Sequence, residues 1–312
     1  MSSLEPWRNI VLACVVIAPL LSLVPSVAPA FVLFLVSVLT FVVLTQAWNI
    51  MTGYCGYFFL GGATFYGIGA YIMALSPYLP YHLNILLAGS ISAACAFALG
   101  IPFLRIRGPY FAIATFTSGE LVKNVVYYLE HELARTTGRY LASQEISLVY
   151  YTILGIAIAA TLVSYGVRNS KFGLGLFSIK ENEDAAESTG VNTTLYKLYA
   201  FSLCAFFTGA TGAAVVARFG YIDAWVAFDS TYSMYPVVMG FFGGAGTVMG
   251  PILGAAILRS IFEVFFGGRD PYPFGIALGV LIIVSRMLLP LGLTGIKSSL
   301  SRFSKRTALA RS

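Results

Sequence analysis

The chain has 312 residues, of which 58% are hydrophobic and only 10% charged, with a mean hydropathy of +0.82, against roughly 25% charged residues in an average soluble domain. No soluble core of this length could hide so much apolar surface, so a soluble enzyme or binding module is excluded. Much of the net charge of +6 sits in one short C-terminal tail, a pattern that speaks for orientation in a bilayer and not for a nucleic-acid partner.

A bilayer core of about 30 Å takes about 20 apolar residues per helix, with shorter pieces tilting or re-entering. On that basis spans are expected at 9–24, 31–52, 62–76, 83–104, 109–130, 147–167, 198–217, 232–242, 250–266 and 274–290. The expected fold class is therefore an all-α integral membrane protein, a polytopic bundle of about ten segments forming one transmembrane domain over 1–312. Arg8, the run from Ile10 to Val24 and Ala28-Pro29-Ala30 imitate a cleavable signal peptide, but a retained first span explains the same residues.

Orientation follows from Lys and Arg, which cytoplasmic loops retain. With the C-terminus inside, twelve fall in cytoplasmic segments: Arg8, Arg105, Arg107, Arg168, Lys171, Lys180, Lys197, Lys297, Arg302, Lys305, Arg306 and Arg311. Only Arg135, Arg139, Arg218 and Arg269 fall outside, so both termini are expected in the cytoplasm. The basic tail over 291–312 would also touch anionic lipid, at about 1 kcal/mol per charge near the surface.

Two glycine-dense stretches lie at membrane depth, GYCGYFFLGGATFYGIG from Gly53 and GFFGGAGTVMGPILG from Gly240. Non-helical backbone is tolerated there only where protein buries it or it lines a wet cavity, so both read as broken or re-entrant elements beside a pathway. The competing reading is close helix packing through small residues. It stands level with the break for the first stretch and behind it for the second, where Pro251 follows Gly250. The candidate pathway set is Tyr57, Phe59, Gly61, Gly62 and Thr64 in the first stretch, Gly243, Gly244 and Gly246 in the second, and Glu120 between them. Intramembrane charge is costly, about 2.5–3.5 kcal/mol on insertion scales. Glu120 and Lys123, three apart, and Arg259 and Glu263, four apart, could instead neutralise one another on their own helices.

The longest internal polar stretch is 168–197. Its acidic centre, Glu181 to Glu187, opens a short helix favourably for the helix dipole, and Gly190 supplies the stop. Such a helix could dock in a partner's groove or be simply solvated. Cys14, Cys55, Cys95 and Cys204 stand far apart in apolar segments, without disulfide or metal-ligand spacing, and His82 and His131 are isolated at outer boundaries. No metal site, cofactor or catalytic constellation is expected. The sequence has no G-x-x-x-x-G-K-[ST] phosphate loop, so any ATP-driven step would need another polypeptide.

Asp184-Ala185-Ala186-Glu187-Ser188-Thr189-Gly190 resembles the EAA-x-x-x-G loop of ABC-importer permeases, with Asp in place of Glu. The segments from Glu181 to Val216, Met239 to Gly254, Arg105 to Phe116, Gly67 to Tyr71 and Leu289 to Ile296 resemble, in order, those of LivM-type permeases for branched-chain amino acids. The resemblance implies a type II-like permease subunit of an ATP-driven importer in the bacterial cytoplasmic membrane. It also implies two ATP-binding-cassette subunits, a homologous LivH-type permease as heterodimer partner and an extracytoplasmic substrate-binding protein, with alternating access as the mechanism. Carried over by position, Glu183, Asp184, Ala185, Ala186 and Gly190 become the ATPase-coupling candidates, and Gly190→Val or Ala186→Glu is expected to uncouple transport while leaving folding intact. Typical members read close to GYAGQLSLGHAAFFGIGAY, where this chain holds Tyr57, Phe59 and Gly62 in place of Gln, Ser and His. That departure leaves the solute open among branched-chain or other amino acids, amides and carboxylates. The alternative is a stand-alone channel or ion-coupled carrier, for which glycine-broken helices serve equally well; its mid-membrane acidic candidates are Glu120 and Glu263.

Overall fold

The computed structural model describes residues 29–133, 135–266 and Gly279. The expected spans 9–24 and 274–290, Cys14 and the basic tail lie outside the described residues.

Eleven α-helices follow in chain order among the described residues: α1 (Pro29–Trp48), α2 (Gly62–Leu75), α3 (Tyr81–Phe103), α4 (Pro109–Tyr128), α5 (Ile146–Asn169), α6 (Lys171–Glu181), α7 (Glu183–Ser188), α8 (Thr193–Val216), α9 (Ala224–Ala227), α10 (Thr231–Gly243) and α11 (Met249–Phe266). Eight of them, α1 to α5, α8, α10 and α11, fall on eight of the expected spans. Among the described residues, four stretches are long and apolar enough to cross a membrane: Phe31–Tyr54, Tyr81–Phe103, Ile146–Asn169 and Thr193–Val216. At 1.5 Å rise per residue, 23 residues exceed the 30 Å hydrocarbon core.

The long helices gather their connections into two opposite ends. At one end the strand pair Arg139–Tyr140 and Tyr221–Ile222 runs antiparallel, and the buried Glu130 carboxylate accepts from Tyr71 Oη at 2.9 Å. At the other end lie Gly53, the linker 55–61, Leu104 to Gly108, α6, α7 and the turn 244–248. Helix α8 stands in the middle, packed chiefly on α3 and α2, and with α1 it is the most enclosed of the four long stretches. Helix α3 turns Leu83, Leu86 and Ile91 outward, the apolar exterior that lipid requires.

The polar stretch 168–197 holds the expected short helix at its acidic centre, α7, with a further helix, α6, before it and the start of α8 after it. Each has its own N-cap: Ser170 Oγ accepts from Gly173 N–H at 3.1 Å, Asn182 Oδ1 from Ala185 N–H at 3.1 Å and Asn192 Oδ1 from Leu195 N–H at 3.1 Å. Side-chain oxygens at that position satisfy otherwise orphaned amides. Helix α7 ends in a paired turn, with Val191 N–H donating to Ala186 O (3.1 Å) and Gly190 N–H to Glu187 O (3.0 Å), while Gly190 sits at φ +89°. This closure needs a left-handed residue, which glycine adopts freely.

Candidate functional site

The loop end carrying α6 and α7 holds most of the chemistry. Asn182 as N-cap aims the first residue of α7, Glu183, into the protein. Its carboxylate accepts from Lys197 Nζ at 2.6 Å and from Tyr57 Oη at 2.6 Å, with Arg107 at 3.8 Å. Lys197, at the start of α8, is almost fully buried and also reaches Tyr57 Oη (3.2 Å) and Leu104 O (3.5 Å). Asp184 points the other way, exposed, and binds Arg107 at 3.0 Å. From α6, Lys180 Nζ donates to Gly53 O at 2.8 Å. An open cavity of about 600 Å³ lies alongside, walled by Gly56, Tyr57, Phe58, Arg107, Gly108, Pro109, Ala112, Ile113 and Glu183.

Burial pushes the Glu183 carboxyl up, but the hydrogen bonds from Lys197 and Tyr57 and the charges of Lys197 and Arg107 outweigh it and hold the group below its ordinary value. A carboxylate depressed in the folded state contributes stability above its unfolded value of about 4.3, and loses it as pH falls through the lower folded value. Helix α7 is therefore expected to stay docked at about pH 5 and to loosen only below the ordinary carboxylate range. Hydrogen exchange of the segment 183–190, corrected for intrinsic rates, would reveal early loosening if the carboxylate were not held down.

The coupling candidates divide by face. Asp184, Ala185 and Gly190 are exposed, whereas Ala186 is 2% exposed and packs into the protein's own core. This corrects the expectation for Ala186→Glu: a carboxylate there would be driven into apolar surroundings and would detach α7, so the variant does not separate coupling from folding. Ala185 is exposed, so a substitution there would leave the fold undisturbed. Gly190 has open space around a would-be Cβ but a left-handed φ. Gly190→Ala is accordingly expected to cost about 1–2 kcal/mol locally, faster exchange over 186–192 with an unchanged melting temperature being the check.

The first glycine stretch divides into a broken half and a tightly packed half. Residues 49–54 extend α1 as a π-helical turn, a wide geometry frequent at functional sites, and the linker 55–61 is not helical. Side chains satisfy its backbone: Trp48 Nε1 donates to Phe59 O (3.1 Å), Thr52 Oγ1 donates to Tyr57 O (3.0 Å) and accepts from Phe59 N–H (3.0 Å), and Leu60 N–H donates to Thr115 Oγ1 (3.2 Å). From Gly62 onward the chain is helical, and α2 meets α8 so closely that a Cβ at Gly69 would lie 1.9 Å from Gly209 O. The second stretch breaks over 244–248, between α10 and α11, with Gly244 at φ +116° and Gly246 at φ +86°. Its backbone is held by two amides of the α1 segment. Asn49 accepts from Gly246 N–H (2.8 Å) and donates to Thr247 O (2.9 Å), and Gln46 donates to Val248 O (2.8 Å).

The structure thus brings Tyr57 to Glu183, joining a pathway candidate to a coupling candidate, and sets Gly246 beside Gly53. Phe59 is buried against Phe65 and Phe201. Gly61 and Gly62 are tight, a Cβ at either meeting Phe59 or the Tyr232 carbonyl at 2.6 Å, and a Cβ at Gly243 would lie 1.8 Å from Gly250 O. Thr64 is buried and shares a hydrogen bond with Ser118 at 3.1 Å. Glu120 stands apart, paired with Lys123 at 2.5 Å, whose ammonium lies 4.9 Å over the Trp225 ring. Arg259 and Glu263 pair at 2.7 Å and share Ser37. Both carboxylates therefore have cationic neighbours on their own helices. Sequence reasoning missed Gln46, Asn49, Lys180 and Lys197 as site residues. The amides inside an apolar span are a readable signal, since polar groups in lipid must find partners; the lysines carry only an orientation signal in the sequence.

A family model described as branched-chain amino acid transport system / permease component matches residues 28–286. The high-affinity branched-chain amino acid transport system permease protein LivM of Salmonella typhimurium is 28% identical over 290 residues, covering 81% of this chain and 67% of its own length. The fructose import permease protein FrcC of Rhizobium meliloti is 26% identical, covering 43% of this chain and 39% of its own. The galactose/methyl galactoside import permease protein MglC of Escherichia coli is 28% identical, covering 44% and 41%. No solved structure matches the chain at a significant level.

Proposed function

The chain belongs to the branched-chain amino acid transport system permease family, and on that premise we propose that it is the membrane-spanning permease subunit of an ATP-binding-cassette importer working by alternating access. The match over residues 28–286 carries this reading. Two ATP-binding-cassette subunits bind and hydrolyse the nucleotide, and this chain contributes the docking element α7, whose outward face carries Asp184 and Ala185. A second, LivH-type permease completes the pore, and an extracytoplasmic binding protein delivers the solute. The chain lies in the bacterial cytoplasmic membrane, crossing about ten times in a type II-like arrangement, with α6, α7 and both termini on the cytoplasmic side. The basic residues Arg105, Arg107, Lys171 and Lys180 at the α7 end support that orientation.

The solute is a small organic molecule, with a branched-chain amino acid first in line; sugar import permeases among the relatives argue for a wide screen. Glu120 pairs with Lys123 and Glu263 with Arg259, so self-neutralisation on their own helices accounts for both carboxylates. Co-purification of the tagged chain from its native membrane tests the reading: a nucleotide-hydrolysing subunit should accompany it, and solute entry into vesicles at full rate without nucleotide would overturn it.

A further inference from the structure

Docking of α7 on a partner does not by itself explain how movement there reaches the broken backbone. The geometry provides two short polar links. One is Tyr57 Oη to Glu183 Oε2 at 2.6 Å, and the other is Lys180 Nζ to Gly53 O at 2.8 Å. Both start on the α6–α7 unit and end on the segment joining α1 to α2. The unit also touches that segment directly, for a Cβ at Gly56 would lie 2.8 Å from Lys180 Cγ and 3.2 Å from its Cα. A Cβ at Gly246 would lie 3.7 Å from the Lys180 ammonium, so one lysine stands at both glycine breaks.

The receiving segment is suited to move. Its backbone between residues 55 and 61 lacks helical hydrogen bonds and is held by Trp48, Thr52 and Thr115 side chains, contacts that can exchange without unwinding a helix. Lys197 on the enclosed helix α8 gives Glu183 a fixed pivot at 2.6 Å. A rotation of α7 about that pivot would swing the second carboxylate oxygen, and with it the Tyr57 hydroxyl, which forms part of the cavity wall.

We propose that Tyr57, through Glu183, and Lys180, through the Gly53 carbonyl, are the positioning residues that pass movement of α7 to the glycine-broken segments. The inference rests on the permease reading above. A purely static network would hold the same bonds, so the test must report nucleotide-dependent movement. Native Cys55 reports on the receiving segment and native Cys204, in α8, on the enclosed core; both are buried. Maleimide alkylation of the purified complex, resolved by peptide mass spectrometry, is compared without nucleotide and after trapping with ATP and vanadate. In the wild type, Cys55 alkylation should change about tenfold between the two states, a population shift that a modest differential affinity produces, while Cys204 stays protected. Tyr57→Phe and Lys180→Met should each erase most of that change and leave Cys204 protected.

The proposal is overturned if the Cys55 change survives in either variant, or if wild-type Cys55 reacts equally in both states although nucleotide is trapped. It is also overturned if the variants expose Cys204 without nucleotide, since the network then only holds the fold. A wild-type complex with no nucleotide-hydrolysing subunit would instead strike the permease reading itself.

Discussion

Glu183→Ala is expected to destabilise the protein by about 3 kcal/mol, the low end of the cost of stranding a buried charge, because Lys197 is almost wholly buried while Glu183 itself reaches the open cavity. Lys197 is almost wholly buried and has Glu183 as its charged partner at 2.6 Å; without it, its neighbours are the Tyr57 hydroxyl and the Leu104 carbonyl. Arg107, 3.8 Å from the same carboxylate, adds like charge. The reverse variant, Lys197→Met, should cost less, because Glu183 keeps the Tyr57 hydroxyl and can draw Arg107 closer. The double variant Glu183→Gln with Lys197→Met removes both charges and should recover most of the loss, as buried pairs replaced together are often neutral. Thermal unfolding in detergent, followed by size exclusion, ranks the four proteins. An order in which Lys197→Met melts below Glu183→Ala, or in which neither differs from wild type, contradicts a buried pair centred on Glu183.

The helices were largely legible because lipid imposes one rule on every span. A run such as VLFLVSVLTFVVL must satisfy its backbone internally, so length and apolarity alone locate it, and α1 to α5 emerge where the runs lie. The network around Glu183 was not legible for a physical reason. Tyr57 and Glu183 are 126 positions apart, and their meeting depends on how α6 folds back beneath α1, which no local pattern encodes. The facing of Ala186 turns on a few residues of capping geometry, Asn182 at one end of α7 and Gly190 at the other, so two adjacent alanines could be called a docking pair without knowing that one faces inward. Gln46 and Asn49 were legible in principle. An amide inside an apolar span must have a partner, and the glycine turn 244–248, with its unpaired backbone groups, was the segment that needed one.

Gly69→Leu is expected to prevent assembly of the bundle, and Gly69→Ala to destabilise it measurably. In a bilayer, helices have no hydrophobic drive toward each other and associate through close packing. Helix α8 is held that way on two sides: a Cβ at Gly69 or Gly212 would lie 1.9 Å or 2.1 Å from a backbone carbonyl across the α2–α8 contact, and a Cβ at Gly209 would lie 2.1 Å from Ser92 Oγ on α3. Backbone opposes backbone at Gly69, so no rotamer change relieves the clash and the helices must part. Even one methyl should therefore reach or exceed the usual overpacking cost of about 1–3 kcal/mol. Gly155 in α5 is the internal comparison, with nothing within 4 Å of its would-be Cβ. There Ala should be neutral or raise stability by up to about 1 kcal/mol through helix propensity alone. Opposite signs for the same substitution at Gly69 and Gly155, read as melting temperatures in one detergent, would assign the first stretch's later glycines to helix contact and not to the pathway. A Gly69→Ala protein as stable as Gly155→Ala would mean that α2 and α8 do not touch at that point, and the central position of α8, on which the Lys197 pivot depends, would fall with it.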